Sequence, residues 1–230
     1  MQHLSLEDDE VYWKRGNEYR EKGQYDKAIL DYNKAIEINP KYVDAYKERG
    51  IAYGRKGQYD LAISDLNKAI EIDPGYAEAY NSRGVACLYK GQYDKAISDF
   101  NKAVDINQRF AKAYLNRGVA NRYKGNYGKA ITDYNKAIEI NPTYAEAYFN
   151  RGIIYGQVRG RYDKAIFDFS KAVEINPRHA KAYYNRAIAY CYRKEYDKAW
   201  KDVKKAQSLG YKIDPEFLKM LREASGRKKN

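Results

Sequence analysis

Six arginines and six aspartates recur at one spacing. Arg15, Arg49, Arg83, Arg117, Arg151 and Arg186 precede Asp31, Asp65, Asp99, Asp133, Asp168 and Asp202 by 16 residues, or by 17 in the fifth case. A guanidinium beside a carboxylate could clamp an anion or hold a reacting group. Six identical copies of one reaction centre in a short chain are not a sensible enzyme. The repeated pair reads instead as a structural ion pair linking two elements of each of six equivalent units. The remaining reactive side chains are few: His3 and His179, Cys87 and Cys191. They form no Ser/His/Asp or Cys/His grouping, no metal-ligand spacing and no glycine-rich phosphate loop. The expectation is no catalytic residue, no metal, no cofactor and no enzyme activity. The two cysteines fall in different units, too far apart to bridge, and two unpaired thiols suit a reducing compartment.

A second set of side chains suits recognition. Asn116, Asn150 and Asn185 stand at equivalent positions in three successive units. An amide offers both a donor and an acceptor, so it can pair with a peptide backbone whatever the peptide's side chains. Lys112 and Lys181 accompany them and would attract acidic side chains. Tyr89, Tyr123 and Tyr192 share a third position and could contact a ligand with little loss of rotamer freedom.

The elements that position these residues follow from an internal repeat. KAIEINP at Lys34, KAIEIDP at Lys68, KAIEINP at Lys136 and KAVEINP at Lys171 are copies of one segment, with a degenerate KAVDINQ at Lys102. The units run 9–42, 43–76, 77–110, 111–144, 145–179 and 180–213, and the fifth holds one extra residue near Arg159. Each reads as a helix, a turn such as KGQYD, and a second helix that Pro40, Pro74, Pro142 or Pro177 stops. Small residues mark the close approach of the two helices. They are Gly16, Gly50, Gly84, Gly118, Gly152 and Ala187 at position 8, and Ala28, Ala62, Ala96, Ala130, Ala165 and Ala199 at position 20. Residues 1–8 form an N-terminal extension. Residues 214–224, DPEFLKMLREA, read as a capping helix with Asp214 as N-cap and Phe217, Leu218 and Leu221 on its apolar face. Residues 225–230 are a basic tail.

This pattern resembles the tetratricopeptide repeat family over residues 9–213. Gln108 and Tyr211 depart from its proline, and Cys87 and Asn121 from its first-helix tyrosine. The resemblance implies an all-α fold, a right-handed superhelical solenoid of six helix-turn-helix units plus the capping helix. It also implies a scaffold or adaptor that holds an extended segment of a protein or peptide partner on the open face of the first helices. The asparagine, lysine and tyrosine sets lie on that face, chiefly in units four to six. One subset of the family grips a C-terminal carboxylate. Units four to six keep Asn150 and Lys181 for that clamp but carry Leu115, Val119 and Asn185 at its other positions, so the full clamp is absent.

Charge narrows the partner. The chain carries a formal net charge of +12. From Ala180 to Asn230 it has 14 basic and 6 acidic residues. A partner with an acidic segment is complementary to that end. The charge and the 26 tyrosines also raise single-stranded RNA or DNA as an alternative. Against it, Lys34, Lys68, Lys102, Lys136, Lys171 and Lys205 recur at framework positions among acidic neighbours. Self-association through the first unit, a homodimer, is a further alternative, because little chain precedes that unit. No apolar run approaches the roughly 18 residues that span a bilayer. The first residues lack the pattern of a signal peptide, so a cytoplasmic protein without membrane contact is expected.

Overall fold

The computed structural model describes residues 6–158 and 160–226; the first five residues of the N-terminal extension and the last four of the basic tail lie outside them. Among the described residues there are thirteen α-helices, one π-helical turn and no strand. The chain is all-α. It divides into two compact bodies, residues 1–125 and 126–230. The first holds α1 (Leu6–Glu21), α2 (Tyr25–Ile38), α3 (Val43–Arg55), α4 (Tyr59–Ile72), α5 (Ala77–Tyr89), α6 (Tyr93–Ile106) and α7 (Ala111–Tyr123). The second holds α8 (Tyr127–Ile140), α9 (Ala145–Ile153), α10 (Tyr162–Ile175), α11 (Ala180–Tyr192), α12 (Tyr196–Ser208) and α13 (Pro215–Ser225).

Helices pair as hairpins because each turn closes the first helix with a left-handed residue. Gly57 has φ +77°, and the Gln58 N–H returns to the Tyr53 carbonyl at 2.9 Å. A side chain is strained in that conformation, which is why glycine stands there. The sixth hairpin departs from this rule: its left-handed residue is Lys194, at φ +60°. The fifth absorbs its extra residue as the π-helical turn Ile154–Val158, and the Arg161 N–H still closes on the Tyr155 carbonyl at 2.7 Å.

The second helices end on an asparagine or aspartate rather than on proline alone. Asn39, Asp73, Asn107, Asn141 and Asn176 each accept, through the side-chain oxygen, the N–H two residues on, at 2.8–3.1 Å. This turn forms at Asn107 although Gln108 replaces the proline, so the stop survives the departure from the repeat pattern.

Within the hairpins that lie inside one body the core is a lock between position 8 and position 24. A Cβ on Gly84 would meet the Phe100 ring at 2.7 Å, and one on Gly152 would meet Phe169 at 2.8 Å. Where position 8 is Ala187, position 24 shrinks to Val203, and both are fully buried in one cluster. The methyl added at position 8 is accommodated by the smaller side chain at position 24. Fully buried alanines, such as Ala28 and Ala35 in α2, let neighbouring helices approach closely. At the C-terminal end, Asp214 accepts the Glu216 N–H and starts α13. Phe217 and Leu221 of that helix complete the cluster around Val203, and the Trp200 indole N–H donates to Ser225 Oγ at 3.1 Å.

Candidate functional site

The recurring arginines are joints as well as intra-hairpin partners. Arg15, Arg49, Arg83, Arg151 and Arg186 each donate in a two-pronged fork to Asp31, Asp65, Asp99, Asp168 and Asp202, at 2.6–2.9 Å. Asp133 is buried like the other five aspartates. The Nη1 of Arg49, Arg83, Arg117 and Arg151 reaches back to Asn33, Asn67, Asn101 and Asn135 of the preceding hairpin, and that of Arg186 reaches Ser170. Each guanidinium also lies over the tyrosine three residues before it, Tyr80 in the case of Arg83, at 5.2–5.5 Å from the ring centre. One side chain thus ties its own two helices together and ties both to the hairpin before. The sixth unit carries Lys204 where the others carry this asparagine or serine.

The three tyrosines expected on the open face also belong to joints. Tyr89 stacks on Tyr59, Tyr123 on Tyr93 and Tyr192 on Tyr162, within 6° of parallel and 4.5–5.5 Å apart. Beside these stacks, Lys56, Lys90 and Lys124 pair with Asp26, Asp60 and Asp94 of the preceding hairpin, and Arg193 pairs with Asp163 at 3.0 Å. The outer rings stay largely exposed, 69% for Tyr89, 56% for Tyr123 and 63% for Tyr192, although the Arg122 guanidinium lies over the Tyr123 ring at 4.8 Å.

The asparagines are half-buried and partly engaged. Asn116 donates to the buried Asn81 at 2.9 Å. Asn150 and Asn185 each donate one N–H to a carbonyl of their own helix, Glu146 and Lys181, at 2.8 and 2.9 Å. Each side-chain amide retains its second N–H. Lys112 and Lys181 are exposed.

The equivalent face of the first two hairpins is occupied by its own residues. Asn17 accepts the Tyr32 hydroxyl at 2.8 Å. Glu48, buried, pairs with Arg20 and with Lys47, each at 3.0 Å. Asp44 accepts from Tyr76 and lies 3.4 Å from Lys47. Burial and the hydrogen bond to the Asp44 carboxylate push the Tyr76 hydroxyl up to about 12. These groups are neutralised in place.

In the second body the same face opens into a cavity of about 230 Å³. Ile188, Ala189 and Phe169 form its apolar floor, the Tyr162–Tyr192 stack one wall, and Gln157 and Asn185 its polar rim. The Gln157 amide donates to Asn185 Oδ1 at 3.3 Å. Gln157 belongs to the π-helical turn, so the extra residue of unit five helps to shape the cavity. The sequence announced the insertion but not the side chain it would aim.

The other reactive residues serve the fold. His179 caps α11, its Nδ1 accepting the Ala182 N–H at 3.4 Å, and its ring packs on Phe149. Burial holds its imidazole below the usual range. Burial pushes both free thiols, Cys87 and Cys191, up, which keeps them poor nucleophiles. Among the described residues no group of three His, Cys, Asp or Glu could hold a metal ion, and no helix is long and apolar enough to cross a membrane.

Comparison with known proteins agrees with this architecture. Models described as TPR repeat match residues 16–57 and 120–158, and models described as tetratricopeptide repeat match 43–76, 77–110, 145–179 and 169–201. An uncharacterised protein of Methanocaldococcus jannaschii is 51% identical over 37 residues, which is 16% of this chain and 43% of that protein, so the match spans less than half of that relative's length. The crystal structure of MamA is 33% identical, covers 72% of this chain and 96% of its own, and has a TM-score of 0.61. YrrB, described as a TPR protein with an unusual peptide-binding site, is 25% identical over 86% of this chain and 98% of its own, with a TM-score of 0.61. The recurring arginine joint, the glycine–aromatic lock and these matches have one reading: the chain belongs to the tetratricopeptide repeat family.

Proposed function

We propose that the protein is an interaction scaffold that holds an extended segment of a partner protein on the open face of its first helices, chiefly in units four to six. The observation that carries this reading is the cavity bounded by Gln157, Asn185, Ile188 and Tyr192. It pairs an apolar floor with unspent amide groups, which suits one uncharged side chain with backbone on either side. Asn150 and Lys181 extend that surface within the second body. Asn116, Lys112 and Tyr123 carry the same chemistry on α7 of the first body. The contacts that Asn17, Asp44 and Glu48 already make with Tyr32, Tyr76, Arg20 and Lys47 support leaving units one and two out of the contact. The peptide-binding site described for YrrB supports the same class of ligand.

The test is a selection of peptides from a random extended library on the intact chain. Binding of the selected peptides is then measured to a variant carrying Asn116→Ala, Asn150→Ala and Asn185→Ala. The expected loss is about tenfold or more, the size of one to two lost backbone hydrogen bonds. Undiminished binding would remove the amides from the site, and selection of no peptide would remove the scaffold reading.

A further inference from the structure

The last hairpin carries a second cleft, on the other side of α11 from Lys181, Asn185, Ile188 and Tyr192. At about 100° per residue, Tyr183, Arg186 and Tyr190 fall on the opposite face of that helix. With α12 they enclose about 740 Å³, and Lys198, Lys201, Lys204 and Lys205 line it. Asp202 is the single acidic residue of the lining, and Arg186 already holds it in a fork.

The repeat supplies an internal control for this charge. In the second unit the corresponding residues of α4 are Ser64, Asn67, Lys68 and Glu71, and Lys68 pairs with Glu71 at 2.8 Å. The same Lys–Glu pair forms at Lys34–Glu37, Lys136–Glu139 and Lys171–Glu174. The sixth unit has Lys201, Lys204, Lys205 and Ser208 in their place. Two neutral residues become cations, and the acid that would neutralise Lys205 becomes a serine. None of these three lysines has an acidic partner among the described residues. A comparable cleft in the third unit, about 420 Å³, is closer to balance: Lys90 is paired with Asp60, Asp99 and Asn67 hold Arg83, and Lys95 is the one further cation of the lining. The positive charge is therefore confined to one helix face of one unit.

We infer that this cleft is a docking site for an extended acidic peptide segment, separate from the open face. Lys201 and Lys205 stand about 6 Å apart along α12, and Lys198, one turn earlier, is held by Glu195 at 2.6 Å. Alternate carboxylates on an extended chain stand about 7 Å apart, within reach of such flexible side chains. Nucleic acid fits less well. Stacked bases need an open aromatic face, and the guanidinium of Arg186 lies over both Tyr183 and Tyr190.

The test uses the whole chain and a labelled decaglutamate peptide, followed by fluorescence anisotropy at low and at moderate salt. The variant Lys201→Ser, Lys204→Asn, Ser208→Glu installs the residue types with which the second hairpin folds. Its affinity for decaglutamate is expected to fall about tenfold or more, and its binding to lose most of its salt dependence. Lys201→Ser and Lys204→Asn made singly are expected to fall about two- to threefold each, which keeps the test valid if the triple variant melts early. Asn150→Ala with Asn185→Ala, both on the open face, is expected to leave the affinity for decaglutamate as in the parent. Equal affinity of the triple variant and the parent would overturn the site. Loss of binding in the asparagine variant would overturn its separateness from the open face. Tighter binding of oligothymidylate than of decaglutamate, abolished by the same triple variant, would overturn the peptide in favour of nucleic acid.

Discussion

Arg83 is held from three sides at once, by Asp99 in its own hairpin, by Asn67 in the one before, and by the ring of Tyr80. Arg151 has the same three contacts, and its partner Asp168 is only 1% exposed. Replacing Arg151 by leucine strands that carboxylate, and a loss of about 3 kcal/mol is expected from the urea midpoint. Arg15→Leu is expected to cost clearly less, because the Arg15 side chain is 51% exposed against 15% for Arg151. Equal losses at the two sites would show that the joint adds nothing. The position 8–24 lock makes a second prediction. Gly84→Ala forces a methyl against Phe100 and is expected to cost about 1–3 kcal/mol, and Phe100→Val, which recreates the Ala187–Val203 combination, should relieve part of it. The Arg/Asp recurrence was plain in the sequence. The third partner was not, because an asparagine on an exposed stretch of helix looks like any tolerated polar residue until its neighbour is known.

Among the elements, the turns carry the clearest consequences. Lys194 sits in a left-handed conformation that glycine occupies in the corresponding turns. Lys194→Gly is expected to raise stability by about 1 kcal/mol, read from thermal or urea unfolding. His179 makes the cap of α11 sensitive to acid. Only the neutral ring accepts the Ala182 N–H, and burial lowers its pKa from an ordinary value of about 6.5. The stability it brings is full above that ordinary value and is lost as pH falls through it towards the lower folded value. The parent should therefore lose stability as pH falls below about 6.5, and His179→Asn, whose amide oxygen caps at any pH, should lose less. Helix positions were legible from the repeat because glycine, proline and the apolar period all punctuate it. The π-helical turn was legible only as one surplus residue. Its placement depends on which helix can widen by one residue while still closing Arg161 on Tyr155, and no local propensity encodes that.

For the whole molecule, the two ends of the array are unlike its middle. At the C-terminal end α13 covers Val203, Ala206 and Ile213. A chain ending at Ile213 would expose them, and a lower melting temperature with concentration-dependent association in sedimentation is expected. An unchanged monomer would mean that α13 is not a cap. The repeat architecture was almost wholly legible, since six copies average out local ambiguity. The site was legible only as a list of polar positions. Whether a given asparagine faces a ligand or a neighbour depends on contacts such as Asn81 with Asn116 and Gln157 with Asn185.

The arginine joint also has a bearing on how such a chain can grow. An interior hairpin offers an arginine backwards and an asparagine forwards, so it is an interchangeable part. Excising residues 77–110 would bring the Asn67 type of acceptor against Arg117, and duplicating them would repeat the same match. Unequal recombination could thus lengthen or shorten the middle without redesign. Lys204 limits that freedom, because it would present a cation instead of an amide oxygen to an arginine placed after it, so the sixth hairpin is not interchangeable with the interior ones.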